Sequence, residues 1–371
     1  WEPDSTGNQR AVVRVGAEAL APGAATGATS AGDAVRVHVP WRRRDAHPEL
    51  KRIVVVAAAT GERVANVARI AVTREAGDVV FQPVAGAGYY WLYWMPYQGT
   101  FRSNYPRITY RTQDSTAAAE WLARHQLTAD GPRTDAWRSL SEAQVVAFEA
   151  VDSMSAMWPM EVIATAEETR ALLARHPDAP YLLFPEDRTR SIRMSEDLPQ
   201  RWIGGGDAGG ETVALGPVTG EARRGEFFAF QVGVWAARRA LAGVAVRFGD
   251  LRRGADVIPA SAFSSFNTQG VDWQGRPFVR RVGVPQGRIQ ALWMGVEVPD
   301  SAAPGVYQGT LTVEPDGLAP TTLPVRLTVS DAQTHGRTDA QIADATGVLP
   351  DHGDDEPWRL SRLRWLDSRL A

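Results

Sequence analysis

The chain contains no cysteine, which excludes a disulfide scaffold, a thiolate nucleophile and a cysteine metal cage. The compartment stays open on this count, because a secreted protein can do without disulfides. Net charge is also scarce. Against 43 acidic side chains stand 40 basic ones, leaving −3, and neither sign gathers in a block, so neither a nucleic-acid surface nor an anionic-membrane surface is expected. No apolar run reaches the roughly 18 residues of a membrane span.

Catalytic motifs are missing as well. There is no Gly-x-Gly-x-x-Gly after a strand, no phosphate loop, no Gly-x-Ser-x-Gly elbow and no His-Glu-x-x-His. Gly204 to Gly210 is glycine-rich, but no helix follows it to add a dipole, so it reads as a joint. His335 and His352 lie near Asp351, Asp354 and Asp355 at spacings that match no structural metal pattern. No metal and no cofactor is expected. The βαβ repetition of a (β/α)₈ barrel is absent too.

Tryptophan, by contrast, is plentiful, with 13 residues in 371, and so is β-strand text. Ile289 to Val298 reads as a strand, Pro299 to Gly305 as a turn and Val306 to Val313 as the returning strand. Leu323 to Val329, Gly225 to Trp235 and Leu241 to Phe248 supply further strands, which together predict an antiparallel sandwich. Upstream, Ala11 to Val15 is a short strand candidate, Val35 to Val39 alternates strictly, and Ile53 to Ala57 is apolar on both faces. Val67 to Val72 and Asp78 to Gln82 continue that sheet. Between the two β regions the period changes. Helices are expected over 115–125, from a capping box Ser139-Leu140-Ser141-Glu142 through Phe148 to Val151, and from Thr165 through Leu173.

The fold class is therefore mainly β, with two antiparallel β-sandwich domains and a helical insertion between them. The expected boundaries are an N-terminal extension at 1–30, a first sandwich at 31–111, an insertion and joint at 112–210, a second sandwich at 211–330, and at 331–371 a linker leading to the start of a following domain. Trp121, Trp137, Trp158 and Trp202 are expected to be buried in the insertion, which is too polar to carry a sizeable core of its own.

Few residues qualify for chemistry. Tyr89 to Tyr97 places six aromatics in nine positions. With a period of two, Tyr89, Trp91 and Tyr93 share one face, and Tyr90, Leu92 and Trp94 share the other. One set can pack inward. The other is either covered, or it is a platform on which the apolar faces of pyranose rings stack against electron-rich aromatic rings. Trp273 sits in a polar loop, Asp272 to Arg276, where it either lines a pocket rim or pins a turn, and Arg276 can hydrogen-bond sugar hydroxyls or an acidic sugar. The substrate-binding candidates are therefore Trp91, Tyr93, Trp273 and Arg276. No catalytic residue is assigned: Glu186 and Asp187 are adjacent on a strand and point to opposite sides, a poor acid/base pair. Arg42, Arg43 and Arg44 could grip an anion or form a solvated turn salted to Asp45 and Glu49.

Several stretches resemble the N-terminal β-sandwich region of family 123 glycoside hydrolases. They are Gly225 to Gln231 with Leu241-x-x-Val244, then Val271-Asp272-Trp273-x-Gly275-Arg276-Pro277, Gly287 to Gly295, and Ala303 to Gly309. Ser361 to Ser368 resembles the stretch that joins that region to the next domain, and Tyr89 to Tyr97 is similar to the first sandwich of such proteins. The likeness covers about 35–110 and 211–371. It implies a non-catalytic portion that scaffolds a following (β/α)₈ barrel and helps bind its glycan substrate. In that family the barrel hydrolyses β-linked N-acetylgalactosamine with an Asp-Glu pair and the substrate's own acetamido group. Neither barrel nor pair is recognisable here, so this chain alone is expected to be inactive. The alternative is a free-standing carbohydrate-binding or adhesion module. Expected partners are a glycan and either a C-terminal catalytic domain or a second polypeptide packing on the amphipathic residues 358–371. The first residue is Trp1 rather than Met, so any signal peptide would already be gone, and a secreted or periplasmic, bacterial-type location is expected.

Overall fold

A computed structural model describes residues 1, 3–20, 33–45, 47–100, 107–152, 155, 162–187, 190–204, 216–271, 274 and 276–333. It is mainly β and divides into two compact units, Trp1–Thr165 and Ala166–Ala371. Among the described residues no helix is long and apolar enough to cross a membrane.

The first unit holds β1 (Gln9–Val15), β2 (Val35–Val39), β3 (Val54–Ala57), β4 (Val67–Val72), β5 (Gly77–Phe81), β6 (Gly88–Tyr93), the hairpin β7 (Tyr97–Thr100) and β8 (Arg107–Tyr110), the short pair β9 (Leu127–Thr128) and β10 (Gly131–Pro132), and β11 (Glu142–Ala150). Seven of these form one sheet in the order β3-β6-β1-β11-β2-β5-β4. β11 is the strand on which the sheet turns. Its residues from Gln144 to Ala150 pair antiparallel with β1, while Glu142 and Ala143 pair parallel with β2. The two halves then close on one core, in which Val13, Val37, Val55, Phe81, Leu92 and Trp94 are buried. Strict alternation in Gln9–Val15 puts Gln9, Ala11, Val13 and Val15 inside and Arg10, Val12 and Arg14 outside.

Residues 139–151 depart from the expected helix. Asp135–Ser139 is a short 3₁₀ turn, and the chain then runs as β11. Val145, Val146 and Phe148 favour a pleated strand, and pairing on both sides outweighs the local capping signal. Glu142 accordingly binds Arg36 at 2.5 Å instead of closing a capping box. The stretch expected as an N-terminal extension supplies β1, which sits between β6 and β11 in the sheet.

α1 (Pro3–Thr6), ahead of β1, and α2 (Ala119–Arg124), in the helical region, are both short. α2 starts after Ala118 rather than at residue 115, and the Asp114 carboxylate is held by Arg52 and Arg63. Trp121, Leu127, Trp137 and Leu140 lie against Ala68, Ile70 and Val80, so this segment covers the outer face of the β4–β5 half of the sheet. Trp158 lies outside the described residues.

The second unit begins with α3 (Ala166–Arg175), β12 (Leu182–Asp187) and α4 (Gln200–Gly204). It continues with β13 (Val218–Arg224), β14 (Phe227–Trp235), β15 (Leu241–Phe248), β16 (Leu251–Arg253), β17 (Asp256–Ile258), β18 (Phe263–Ser265), β19 (Gln269–Val271), β20 (Pro277–Val279), β21 (Val282–Val284), β22 (Ile289–Glu297), β23 (Gly305–Pro315) and β24 (Thr321–Gln333). One sheet runs β12-β14-β22-β18-β19-β20, and the other runs β13-β24-β23-β15-β21 with β16 beside β23. Their inner faces share a core that includes Phe228, Phe230, Met294, Val246, Tyr307 and Leu327, the packing of two stacked sheets. Every residue of β14 is buried, as expected for an apolar run covered on both faces. Its outer side is covered by the segment from Ile192 to Trp202, and Gly233 leaves the room: a Cβ there would come within 2.7 Å of the Trp202 ring. Residues 205–210 of the expected joint and 334–371 of the expected linker lie outside the described residues.

Candidate functional site

β6 decides which aromatics of the Tyr89–Tyr97 run are available. It lies between β3 and β1, with Trp91 opposite both Val56 and Val12. Tyr90, Leu92 and Trp94 point into the core and are at most 1% exposed. Tyr90 earns its place there by bonding at the rim, its hydroxyl donating to the Gly86 carbonyl at 2.8 Å and accepting from the Ala85 N–H at 3.0 Å. The odd-numbered face looks outward and is graded: Tyr89 is 55% exposed, Trp91 is half-buried and Tyr93 is 3% exposed.

Arg10 causes that gradation. It stands opposite Tyr93 on β1, and its guanidinium lies 4.2 Å from the Trp91 ring and 4.4 Å from the Trp1 ring, held between two indoles. The fork is also hydrogen-bonded, donating to the Tyr93 hydroxyl at 3.0 Å and to Glu149 Oε2 at 2.7 Å. Partial burial works against the charge, but the bonds to Tyr93 and Glu149 outweigh it and raise the Arg10 pKa above its ordinary value. Trp1 packs edge-on against Tyr93, 5.7 Å between centroids, and donates its indole N–H to the Gly7 carbonyl at 2.7 Å. Tyr93 is thus covered by Trp1 and Arg10, where it orients Arg10. Trp91 has one neighbour fixed against it, and Tyr89 is open.

The other candidates belong to the second unit. Arg276 is exposed in the turn before β20 in the second unit, and Trp273 lies outside the described residues. Glu186 is 8% exposed, paired with Arg201 and bonded by the Trp202 indole N–H. Trp202 stacks on Phe184 at 4.2 Å with 9° between planes, and burial pushes Arg201 down to about 10. This buried pair clamps α4 to β12. The Asp187 side chain lies outside the described set.

In the arginine run at 42–44, Arg43 donates to the Gln9 amide oxygen at 3.0 Å. Asp45 pairs with Lys51, the only lysine in the chain, whose ammonium lies 4.9 Å from the Trp41 ring. Burial lowers the Lys51 pKa, partly offset by Asp45. Among the described residues no group of three or more His, Cys, Asp or Glu side chains could hold a metal ion.

The sequence reading missed Arg10 and Glu149. Arg10 carried a usable signal, since Gln9–Val15 alternates so that Arg10 and Arg14 fall on the outward face of a strand. Glu149 was hidden by the helical expectation for 139–151.

The comparisons with known proteins bear on the same unit. Residues 1–151 match a family model described as "Glycoside hydrolase 123, N-terminal domain". The matched stretch ends just after β11 and so contains the whole seven-stranded sheet. No curated protein matches the chain. Among solved structures, a family 123 glycoside hydrolase from Clostridium perfringens, described for glycolipid glycan hydrolysis, is similar at 18% identity over 32% of this chain and 24% of that chain, with a TM-score of 0.28. The PapD-like domain 7 of human CEP192 is similar at 13% identity over 32% of this chain and 81% of that chain, TM-score 0.21. A Bacteroides ovatus GH5 xyloglucanase in complex with a heptasaccharide is similar at 10% identity over 30% of this chain and 17% of that chain, TM-score 0.17. Scores this low give the structural likenesses no weight for function, and the chain spans about a quarter of the length of the C. perfringens enzyme. The chain carries an N-terminal β domain, residues 1–151, that matches the glycoside hydrolase 123 N-terminal domain family.

Proposed function

We propose that this chain is the non-catalytic β-sandwich portion of a glycoside hydrolase-like protein, scaffolding a C-terminal (β/α)₈ barrel and holding glycan on the outer face of β6. The observation that carries the reading is the outward pair of exposed Tyr89 and half-buried Trp91, with Arg10 set against the Trp91 ring and bonded to Tyr93, inside a domain that matches a glycoside hydrolase family. Ring faces of this kind stack on the apolar C–H faces of sugars, and a ring already fixed loses little entropy on binding. In this proposal Trp91 touches the sugar and Tyr93 positions Arg10. Trp273 and Arg276 remain separate binding candidates, within the second unit. A secreted or periplasmic location belongs to the same reading.

A free-standing carbohydrate-binding module is the second reading. It is favoured by one feature: every residue of the Tyr89–Trp91 cluster belongs to the first unit, so binding there needs no other domain.

The test is a tryptophan-fluorescence titration of the 371-residue chain with oligosaccharides, β-linked N-acetylgalactosaminides among them, in the parent and in Trp91→Ala. The expected result is saturable binding in the parent that is weakened in a correctly folded variant. Unchanged affinity overturns the site. Turnover of nitrophenyl glycosides that tracks the purified chain and vanishes in Glu186→Gln overturns the non-catalytic reading.

A further inference from the structure

The aromatic face is also basic. On one side of the pair, Arg14 of β1 lies directly opposite Tyr89. On the other, Val56 of β3 lies opposite Trp91, and Arg63 bridges to Val56. Partners directly opposite in neighbouring strands present their side chains on the same face, so Arg63 stands in the Trp91 row. Both Arg14 and Arg63 are exposed. Arg52 precedes Val54 by two residues and shares this face by the strand period, reaching Asp114 beside Arg63.

Among the described residues of this patch, Arg10, Arg14, Arg52 and Arg63 stand with three carboxylates, Asp114, Glu149 and Glu18, the last lying over Gly16 two residues beyond Arg14. The next pair along the sheet, Arg36 with Glu142, is balanced. The excess positive charge is not spread evenly. Glu149 is engaged by Arg10, and the mostly buried Arg52 takes Asp114, which Arg63 shares at 3.1 Å. Arg14 donates to the neutral amide oxygen of Gln144 at 3.3 Å. The surplus therefore sits at the two exposed guanidinium groups that flank the rings.

Those groups are three strand spacings and two residues of strand apart, about 16 Å, with Tyr89 and Trp91 between them. Arginine forks pair with planar oxyanions through two parallel hydrogen bonds. A partner that satisfies both features needs apolar ring faces for the aromatics and anionic substituents at its margins. A saccharide bearing carboxylates or sulfate esters has both. We infer that this face binds an anionic oligosaccharide, with sugar rings on Tyr89 and Trp91 and oxyanions on Arg14 and Arg63. The inference rests on the glycan reading above and narrows its ligand class.

The test uses the full 371-residue chain and four probes in a calorimetric titration. They are a hexasaccharide of alternating uronic acid and N-acetylhexosamine, its sulfated form, its carboxyl-reduced neutral form, and inorganic tripolyphosphate. At least one charged hexasaccharide is expected to bind about tenfold more tightly than the neutral one, with affinity falling as salt is added. Preference for the uronate or for the sulfated form identifies the source of the oxyanion, and either supports the inference. In an Arg14→Gln/Arg63→Gln double variant with an unchanged thermal midpoint, the charged and neutral forms should bind alike. Equal binding of charged and neutral forms by the parent overturns the anionic inference and leaves the glycan reading standing. Absence of binding by all saccharides overturns both. Tripolyphosphate binding as tightly as the hexasaccharide and indifferent to Tyr89→Ala overturns the inference, because charge alone is then being read.

Discussion

The seven-stranded sheet of the first unit treats its two outer faces differently. Over β4 and β5, the outward residues Ala68, Ile70 and Val80 are small or aliphatic, and the chain returns to cover them with Trp121, Leu127, Trp137 and Leu140. Over β6 and β1, the outward residues other than Val12 are aromatic or cationic, and Tyr89 is left 55% exposed. An apolar face that is only structural gets covered by a later segment of the same chain. A face carrying Tyr89 and Trp91 beside arginines has been made compatible with water without being closed. In the function proposed above, this open aromatic surface is where a glycan sits.

The cover should be the more expensive side to disturb. Trp121 is 2% exposed, donates its indole N–H to the Asp33 carbonyl at 3.0 Å and packs against His125 at 5.2 Å. Trp121→Ala is expected to destabilise the chain by about 3–5 kcal/mol, read as a lowered denaturant midpoint. A loss comparable to that of an exposed substitution would mean that the β4–β5 face does not depend on its cover, and the contrast between the two faces would fail.

A smaller effect is expected at the anchor of that cover. Asp33 lies between Arg124 and His125, with His125 Nε2 3.1 Å from its Oδ2. Burial pushes the Asp33 carboxyl up, but the hydrogen bonds from His125 and Arg124 outweigh it and hold the pKa below the ordinary value of 3.8. A carboxylate with a depressed folded pKa contributes stability that is present above the unfolded value and lost as pH falls through the folded one. Asp33→Asn should therefore cost about 1–2 kcal/mol at neutral pH, and the gap between parent and variant should close below about pH 3.8. Denaturant unfolding at pH 7 and at pH 3 measures this, and an unchanged gap would remove the charge from the account of the anchor.

Much of this architecture is legible in the residues. The central apolar run Phe227 to Trp235, the Ile289 to Val313 meander and the alternation of Val35 to Val39 are strands because their periods leave little choice. The split of Tyr89 to Trp94 into two faces was legible for the same reason. β11 was not. Its start, Ser139 to Glu142, carries a helix-capping pattern, and only pairing with β1 and β2, distant in sequence, makes it a strand. The candidate site was legible to the same extent. Trp91 could be named from period alone. Arg10, Glu149 and Arg63 reach its face only through strand pairing with β1, β11 and β3, which no local window contains.

The smallest expected change in stability falls at Tyr89, and it discriminates best. On the covered face every aromatic contributes to the fold, so removing one is a stability event. Tyr89 stands alone in the opposite situation: it is 55% exposed, its inward neighbours Tyr90 and Leu92 make the core contacts, and its cross-strand partner Arg14 is itself exposed. Tyr89→Ala should shift stability by no more than about 0.5 kcal/mol, the usual range for a surface substitution. If the open face exists for a ligand, the same change should weaken oligosaccharide binding several-fold, because about 1 kcal/mol of aromatic stacking is lost where no packing is lost. The two measurements must be made on the same variant. A large loss of stability would make Tyr89 part of the fold after all. Unchanged stability with unchanged binding would leave the exposed tyrosine without a role and remove the open face from the proposed glycan site.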